Sequence, residues 1–389
     1  MRVLCSSPPM EGVFGPFVSL GHALVDAGHD VVVATGPDLA PRAAREGFTV
    51  EIAGPSAMEG AMAAMGDPAV TAATEEEHWH FPAAMFGGAI APAKLPALRS
   101  WAAGGRPDLV VHPVVDLAGP LLAAELDVPS VAYGFGQVLP SPVVAAFAER
   151  VAPLWRQAGL EPDPHAGMYR CRYLDPCPPS LRGDRGPAES VAAPFRQAVP
   201  GDPGAPLPAW AESLGDRPIV YLSLGTVPFF NQPDTFALLL EEMADLDVDV
   251  VVTIGDLNDP EALGSQTANV HVEQWLPLAP LLPRCDAVVC HAGSGTTLAA
   301  LACGLPMVLV PQGADQFENA AACERAGCAR VLDLATTTSR SVREAVEAVL
   351  RPGSAEREAA GVAAREIAAM PGPDDVVADL ERLAQPAAL

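Results

Sequence analysis

The pattern that most narrows the choice of fold is an alternation of short apolar runs and amphipathic stretches that occurs twice, with a proline- and glycine-rich break between. Val3–Ser6, Val31–Thr35 and Val50–Ile52 read as buried strands, separated by helical stretches at Phe17–Ala27 and Leu39–Glu46. The sheet resumes at 107–112, followed by a helix from about Asp116 to Glu125 and a strand at Val128–Tyr133. Residues 175–213 are crowded with Pro, Gly and small polar residues and resist regular structure. Beyond them the alternation restarts, with strands at Ile219–Ser223, Val248–Ile254, Val270–Val272, Ala287–Cys290 and Met307–Val310, and helices at Asp234–Leu246, Thr296–Cys303 and Gln316–Ala326. Strands that are apolar on both faces and separated by helices predict parallel sheets covered on both sides. The expected fold class is α/β, with two Rossmann-like doubly wound domains facing a cleft. The boundaries read as 1–205 for the first domain, 206–217 for a linker and 218–372 for the second domain. Ser341-Val342-Arg343-Glu344 suggests a capping box, and the closing stretch 373–389 carries a helix expected to pack back toward the N-terminal domain.

Composition removes several function classes. The chain of 389 residues suits two domains of about 150 to 200 residues each. Its 23 basic residues stand against 48 acidic ones, a net charge of −25, so a phosphate backbone or an anionic leaflet would repel it. No nucleic acid and no membrane partner is expected. No run reaches the ~18 apolar residues of a membrane span, and the start carries no signal-peptide pattern. Eight cysteines without CxxC spacing read as reduced thiols in a cytoplasmic protein. Lys94 is the one lysine, which leaves almost no place for Schiff-base chemistry.

Chemistry concentrates at strand ends. The first turn, Pro8-Pro9-Met10-Glu11-Gly12-Val13-Phe14-Gly15, lacks GxGxxG and places prolines and an acid where a pyrophosphate would approach. By contrast, His291-Ala292-Gly293-Ser294-Gly295-Thr296-Thr297 joins a buried strand to a helix. Its glycines admit a close ligand, and the unpaired first-turn amides suit a phosphate; a tight structural turn is the alternative. Ser223-Leu224-Gly225-Thr226 follows another strand and can add donors. Asp315 and Gln316 offer an acceptor and a donor side by side for vicinal hydroxyls, or else a helix N-cap. Trp275 follows a further strand end, where an indole can stack on a planar base or simply belong to the core. His78 and His80 beside three glutamates lack a third placed ligand, so no metal is expected.

These stretches resemble the donor-binding domain of family 1 glycosyltransferases of the GT-B fold, in particular the bacterial enzymes that decorate natural products. The likeness rests on Tyr221–Thr226, Gln274–Pro277, His291–Leu305 and Pro311–Ala320, with Met1–Thr35 similar to the family's opening unit. It implies that Trp275 stacks the nucleotide base and that His291 with the amides of Ser294, Gly295 and Thr296 holds the pyrophosphate. Gly293 permits the close approach, Thr226 lies near the phosphate, and Asp315 and Gln316 hold the donor sugar. The resemblance also makes 1–205 the acceptor-binding domain and 218–372 the donor-binding domain. Where the plant branch carries a ribose-gripping glutamate, eight residues after the histidine, this chain has Ala299. That favours a deoxythymidine diphosphate (dTDP) sugar, although Glu318 remains within reach of a 3′-hydroxyl. The implied function is inverting transfer of a deoxysugar to a hydrophobic secondary-metabolite acceptor, without cofactor or metal, with homodimer formation left open. The acceptor pocket is expected from 60–95 and from Phe135, Gln137, Leu139, Val143, Phe147 and Trp155.

One departure matters. The family's proton-abstracting histidine in the first loop is replaced by Val13, which takes no proton. Asp116, a carboxylate expected to have a raised pKa or else to serve as a helix N-cap, and Glu11, two residues before Val13, are the candidate bases. His112 reads as a structural histidine and His22 as solvent-facing. Alternatives are C-glycosyl transfer to an aromatic polyketide, a non-catalytic partner of another transferase, and a sugar-nucleotide epimerase.

Overall fold

The computed structural model describes residues 1–73, 79–212, 214–227, 230–255 and 258–385. The chain divides into two compact units. The first comprises Met1–Pro176, Asp184–Gln197 and Pro371–Leu389; the second comprises Cys177–Gly183 and Ala198–Met370. The division falls at 197/198, ahead of the boundary drawn from composition, because Pro200 already bonds within the second unit through the Ala279 amide.

Among the described residues the first unit holds a seven-stranded parallel sheet, ordered β3-β2-β1-β4-β5-β6-β7. The strands are β1 (Arg2–Ser6), β2 (Asp30–Thr35), β3 (Thr49–Ile52), β4 (Leu109–Pro113), β5 (Ser130–Tyr133), β6 (Arg172–Asp175) and β7 (Ala192–Pro194). The last two lie at or within the stretch read as a boundary. They are too short to show a period, and β7 is a strand only through the pairing of Ala192–Pro194 with Tyr173–Asp175. The helix expected from Phe17 starts earlier, at Glu11, and runs to Asp26. Pro16 lies inside it, where its ring lacks the N–H that would reach the Gly12 carbonyl, so one bond is lost and the helix continues. Glu11 and Val13 are therefore helical, not loop residues. Phe14, Phe17, Leu20 and Leu24 on this helix share a core with Val376, Val377 and Leu380 of the closing helix Pro373–Ala384.

The second unit holds a six-stranded parallel sheet ordered β10-β9-β8-β11-β12-β13. These are β8 (Ile219–Ser223), β9 (Asp249–Thr253), β10 (Val270–Glu273), β11 (Ala287–Cys290), β12 (Met307–Leu309) and β13 (Ala329–Val331). Capping differs from expectation at one helix. Ser339–Leu350 is capped by Thr338 with Ser341, while Glu344 instead pairs with Arg340 one turn back.

In both sheets the strand order reverses at the middle, between β1 and β4 and between β8 and β11, which are the places where such sheets open a crevice. In the first unit that place is occupied. Lys94 Nζ donates to Asp116 Oδ2 at 2.6 Å and to the Ser7 carbonyl at 2.7 Å. Asp116 Oδ1 accepts from Ser6 Oγ at 3.0 Å and from the Gly119 amide at 2.7 Å, tying β1, the helix Ala91–Ala103 and the start of the helix Ala118–Leu126 together. The lysine and the aspartate are almost fully buried. Breaking such a pair leaves one charge buried without a partner. Lys94→Met is expected to destabilise the protein by ~3–5 kcal/mol, and adding Asp116→Asn to restore part of that loss, as read from urea denaturation.

Candidate active site

The second unit's reversal point carries the site. Ser223 at the end of β8 pairs in register with Cys290 at the end of β11, so the turns that follow, Leu224–Thr226 and His291–Gly293, leave the sheet side by side. Gly293 is the N-cap of the helix Ser294–Ala302 and makes no side-chain cap bond. Thr297 is the first residue to donate back along the helix, to the Gly293 carbonyl at 3.0 Å. The amides of Ser294, Gly295 and Thr296 stand ahead of it as the unpaired first-turn donors. A nine-residue helix thus aims its positive end at the turn.

His291 is packed between glycines. A Cβ on Gly293 would lie 2.3 Å from His291 Nε2, and one on Gly225, whose φ is +86°, would lie 2.5 Å from it. Glycine is required at both positions because the imidazole edge fills the space. The ring is buried, and its Nδ1 has no hydrogen-bond partner. Burial pushes its pKa down to about 4, against the opposing pull of the Asp315 charge and a backbone bond at Ser223. A neutral imidazole with an unused nitrogen beside a helix N-terminus is suited to meet an anion.

Asp315 and Gln316 are differently engaged than side-by-side ligand donors would be. Asp315 is the N-cap of the helix Gln316–Arg325 without capping it through its side chain. Its Oδ2 instead takes the Ser294 hydroxyl and, at 2.9 Å, Asn319 Nδ2. Gln316 Oε1 accepts the amides of Gln312 and Gly313 at 2.7 and 3.2 Å, which braces the preceding turn. Thr226 is exposed, and Trp275 is 60% exposed, an indole outside the core and open to a planar partner. Ala299 is buried in the second unit's core. Buried polar atoms without partners surround the site: Asn231 Oδ1, Gln312 Nε2 and Glu318 Oε2. Of these, Asn231 carries no sequence signal. Asn319 carries one, since it stands four residues after Asp315 and therefore one helical turn above it.

The two candidate bases are placed otherwise than expected. Burial pushes Asp116 up, but the Lys94 ammonium and the Gly119 amide outweigh it and hold the carboxyl below its usual value, so the expected raised pKa is reversed. Glu11 pairs with Arg42 at 3.2 Å. His112 is fully buried, its Nδ1 3.0 Å from the Pro113 carbonyl, and His22 stacks one face on Phe48 with its side chain still 45% exposed. Val143, Phe147 and Trp155 are core residues, so of the expected acceptor surface Phe135, Gln137 and Leu139 are the partly exposed members. Among the described residues no cluster of three or more His, Cys, Asp or Glu residues could hold a metal, and His78 lies outside them. No described helix is long and apolar enough to cross a membrane.

Solved structures share this fold. The SsfS6 glycosyltransferase of Streptomyces sp. SF2575, complexed with thymidine diphosphate, is 26% identical with a TM-score of 0.82, covering 98% of this chain and 99% of that one. Two parallel doubly wound domains with this likeness define a GT-B glycosyltransferase. The elloramycin glycosyltransferase ElmGT of Streptomyces olivaceus is 35% identical over 98% of this chain and 97% of its own length. The L-demethylnoviosyl transferase of Streptomyces niveus is 35% identical over 82% of each. Residues 22–225 and 237–383 match the N-terminal and C-terminal domains of the erythromycin biosynthesis protein CIII-like family, and the chain belongs to that family.

The depressed pKa has a measurable sign. An unfolded imidazole takes its proton near ~6.5, whereas the folded His291 resists until about 4. The unfolded chain binds more protons in that window, so this group's contribution makes stability fall as pH drops from about 6.5 to about 4. A ¹⁵N-edited titration is expected to show His291 neutral through pH 5 and titrating near 4.

Proposed function

We propose that the protein is an inverting glycosyltransferase that moves a deoxysugar from a dTDP-sugar to a hydrophobic natural-product acceptor. The observation that carries the reading is the His291–Thr296 turn, where a neutral imidazole with an unpaired Nδ1 and three free amides converge at a helix N-terminus. In a single displacement the acceptor oxygen or carbon bonds to the anomeric carbon while the sugar–phosphate bond breaks. Negative charge then grows on the leaving pyrophosphate, where His291 and the amides of Ser294, Gly295 and Thr296 oppose it. Trp275 supplies a face for the thymine, and Thr226 a hydroxyl near the phosphates. Asp315 and Gln316 meet the sugar hydroxyls, the first after exchanging its bond to Ser294. The apolar Ala299 gives a ribose 2′-hydroxyl no carboxylate, which a deoxyribose does not need, and the Glu318 carboxylate suits the 3′-hydroxyl. The thymidine diphosphate bound to SsfS6 supports the same donor class.

Release of dTDP from a dTDP-deoxysugar is expected only when a lipophilic acceptor is present, with the glycoside detected by mass spectrometry. Calorimetry is expected to rank dTDP and dUDP above UDP. Equal affinities would remove the basis for the donor, and release without acceptor would point to an epimerase or hydrolase.

A second reading concerns the bond formed. Asp116 and Glu11 are the proposed proton acceptors, yet one is tied to Lys94 and the other to Arg42, and Val13 offers nothing. This favours an acceptor that ionises by itself, a phenol, or an electron-rich aromatic carbon that gives a C-glycoside. Turnover is expected to follow the phenol's own ionisation as pH rises and to stay low with aliphatic alcohols, read from pH–rate profiles. A protein-borne pKa common to both acceptor types, abolished in Glu11→Gln or Asp116→Asn, would instead assign the base to that residue.

A further inference from the structure

Ala292 adopts a φ of +66° and is fully buried. A left-handed backbone at a residue with a side chain is strained, and it persists only where the surroundings hold it there. The group that holds it comes from another element. Asn319 Nδ2 lies 3.0 Å from the Ala292 carbonyl, and 2.9 Å from both Ser294 Oγ and Asp315 Oδ2. A carboxamide has two protons to give. Since the Ser294 hydroxyl is itself bonded to Asp315, one proton serves Ala292 and the other the Ser294–Asp315 pair. Asn319 is 4% exposed, and its own amide donates to the Asp315 carbonyl at 3.1 Å, so the side chain is carried on a fixed helical turn.

We propose that Asn319 is a positioning residue for the anion-binding turn. It keeps Ala292 left-handed, which in turn keeps the His291 ring in the slot between Gly225 and Gly293, and it fixes Asp315 above the first turn of the next helix. Phosphate affinity then depends on a side chain that is turned toward the protein interior rather than the ligand. The inference rests on the functional reading above only for its choice of nucleotide.

The test uses the full chain, with dTDP and thymidine as probes and the apo His291 titration as a readout that needs no ligand. Asn319→Ala is expected to lose about tenfold to a hundredfold in dTDP affinity while thymidine, which lacks the phosphates, binds as before. In the same variant the His291 pKa is expected to rise above about 4 as the ring relaxes toward water. Asn319→Asp turns a carboxylate toward the Ala292 carbonyl and Asp315. It is expected to bind dTDP more weakly than Asn319→Ala at pH 7 and to recover toward the parent near pH 5, where a protonated carboxyl donates again. If Asn319→Ala fails to fold, the pH dependence of Asn319→Asp carries the test. An equal fall in dTDP and thymidine affinity, or an unmoved His291 titration in a folded variant, would overturn the inference. A parent that binds no thymidine nucleotide would overturn the functional reading instead, and the His291 titration alone would then decide the role of Asn319.

Discussion

The site depends on one pairing, the parallel register that sets Ser223 opposite Cys290 across β8 and β11. At this pair the chain changes direction through the sheet, the following helices pass to opposite faces, and two turns emerge as neighbours. Every later feature follows from that closeness. The imidazole of His291 reaches toward the other strand's turn, so Gly225 as well as Gly293 must lack a side chain. A third turn, after β12, brings Asp315 to Ser294. Three strand ends thus hold one group of donors, and none of them could be moved alone.

The first unit runs the same topology to a different end. There the register sets Cys5 opposite Val111 across β1 and β4, and the space beyond is taken by Lys94, Asp116 and Ser6. Two opposite charges satisfied by each other, by a carbonyl, an amide and a hydroxyl form a closed set of polar groups. In the second unit the corresponding polar atoms are left incomplete, His291 Nδ1 among them. A parallel sheet provides a crevice at each reversal point, and the side chains decide whether it is filled by the protein or left for a ligand.

What is legible in the sequence is whatever repeats locally. The four- and five-residue apolar strands and the glycine-rich turn after β11 carry a pattern within a few residues. Other features have none. β7 is three residues long and is a strand only because Tyr173–Asp175 lies beside it. Glu11 joins a helix that Pro16 disguises. Asp116 reads as a withdrawn carboxylate free to take a proton, because its partner stands 22 residues away on the helix Ala91–Ala103, and that ammonium reverses the sign of its pKa shift. The bond from Asn319 to Ala292 spans 27 residues and supports a backbone angle that composition does not record.

The burial of Lys94 reaches beyond the pair itself. As the only lysine in the sequence, it leaves the folded surface without side-chain primary amines, so the permanent side-chain cations displayed to solvent are guanidinium groups. Reagents that acylate amines therefore find, besides the chain's own amino terminus, a target that exists only while the first unit is open. The fold carries an intrinsic chemical reporter of its own breathing: the rate at which Lys94 becomes acylated measures how often β1 and its helices part, with no label introduced and nothing altered in the second unit.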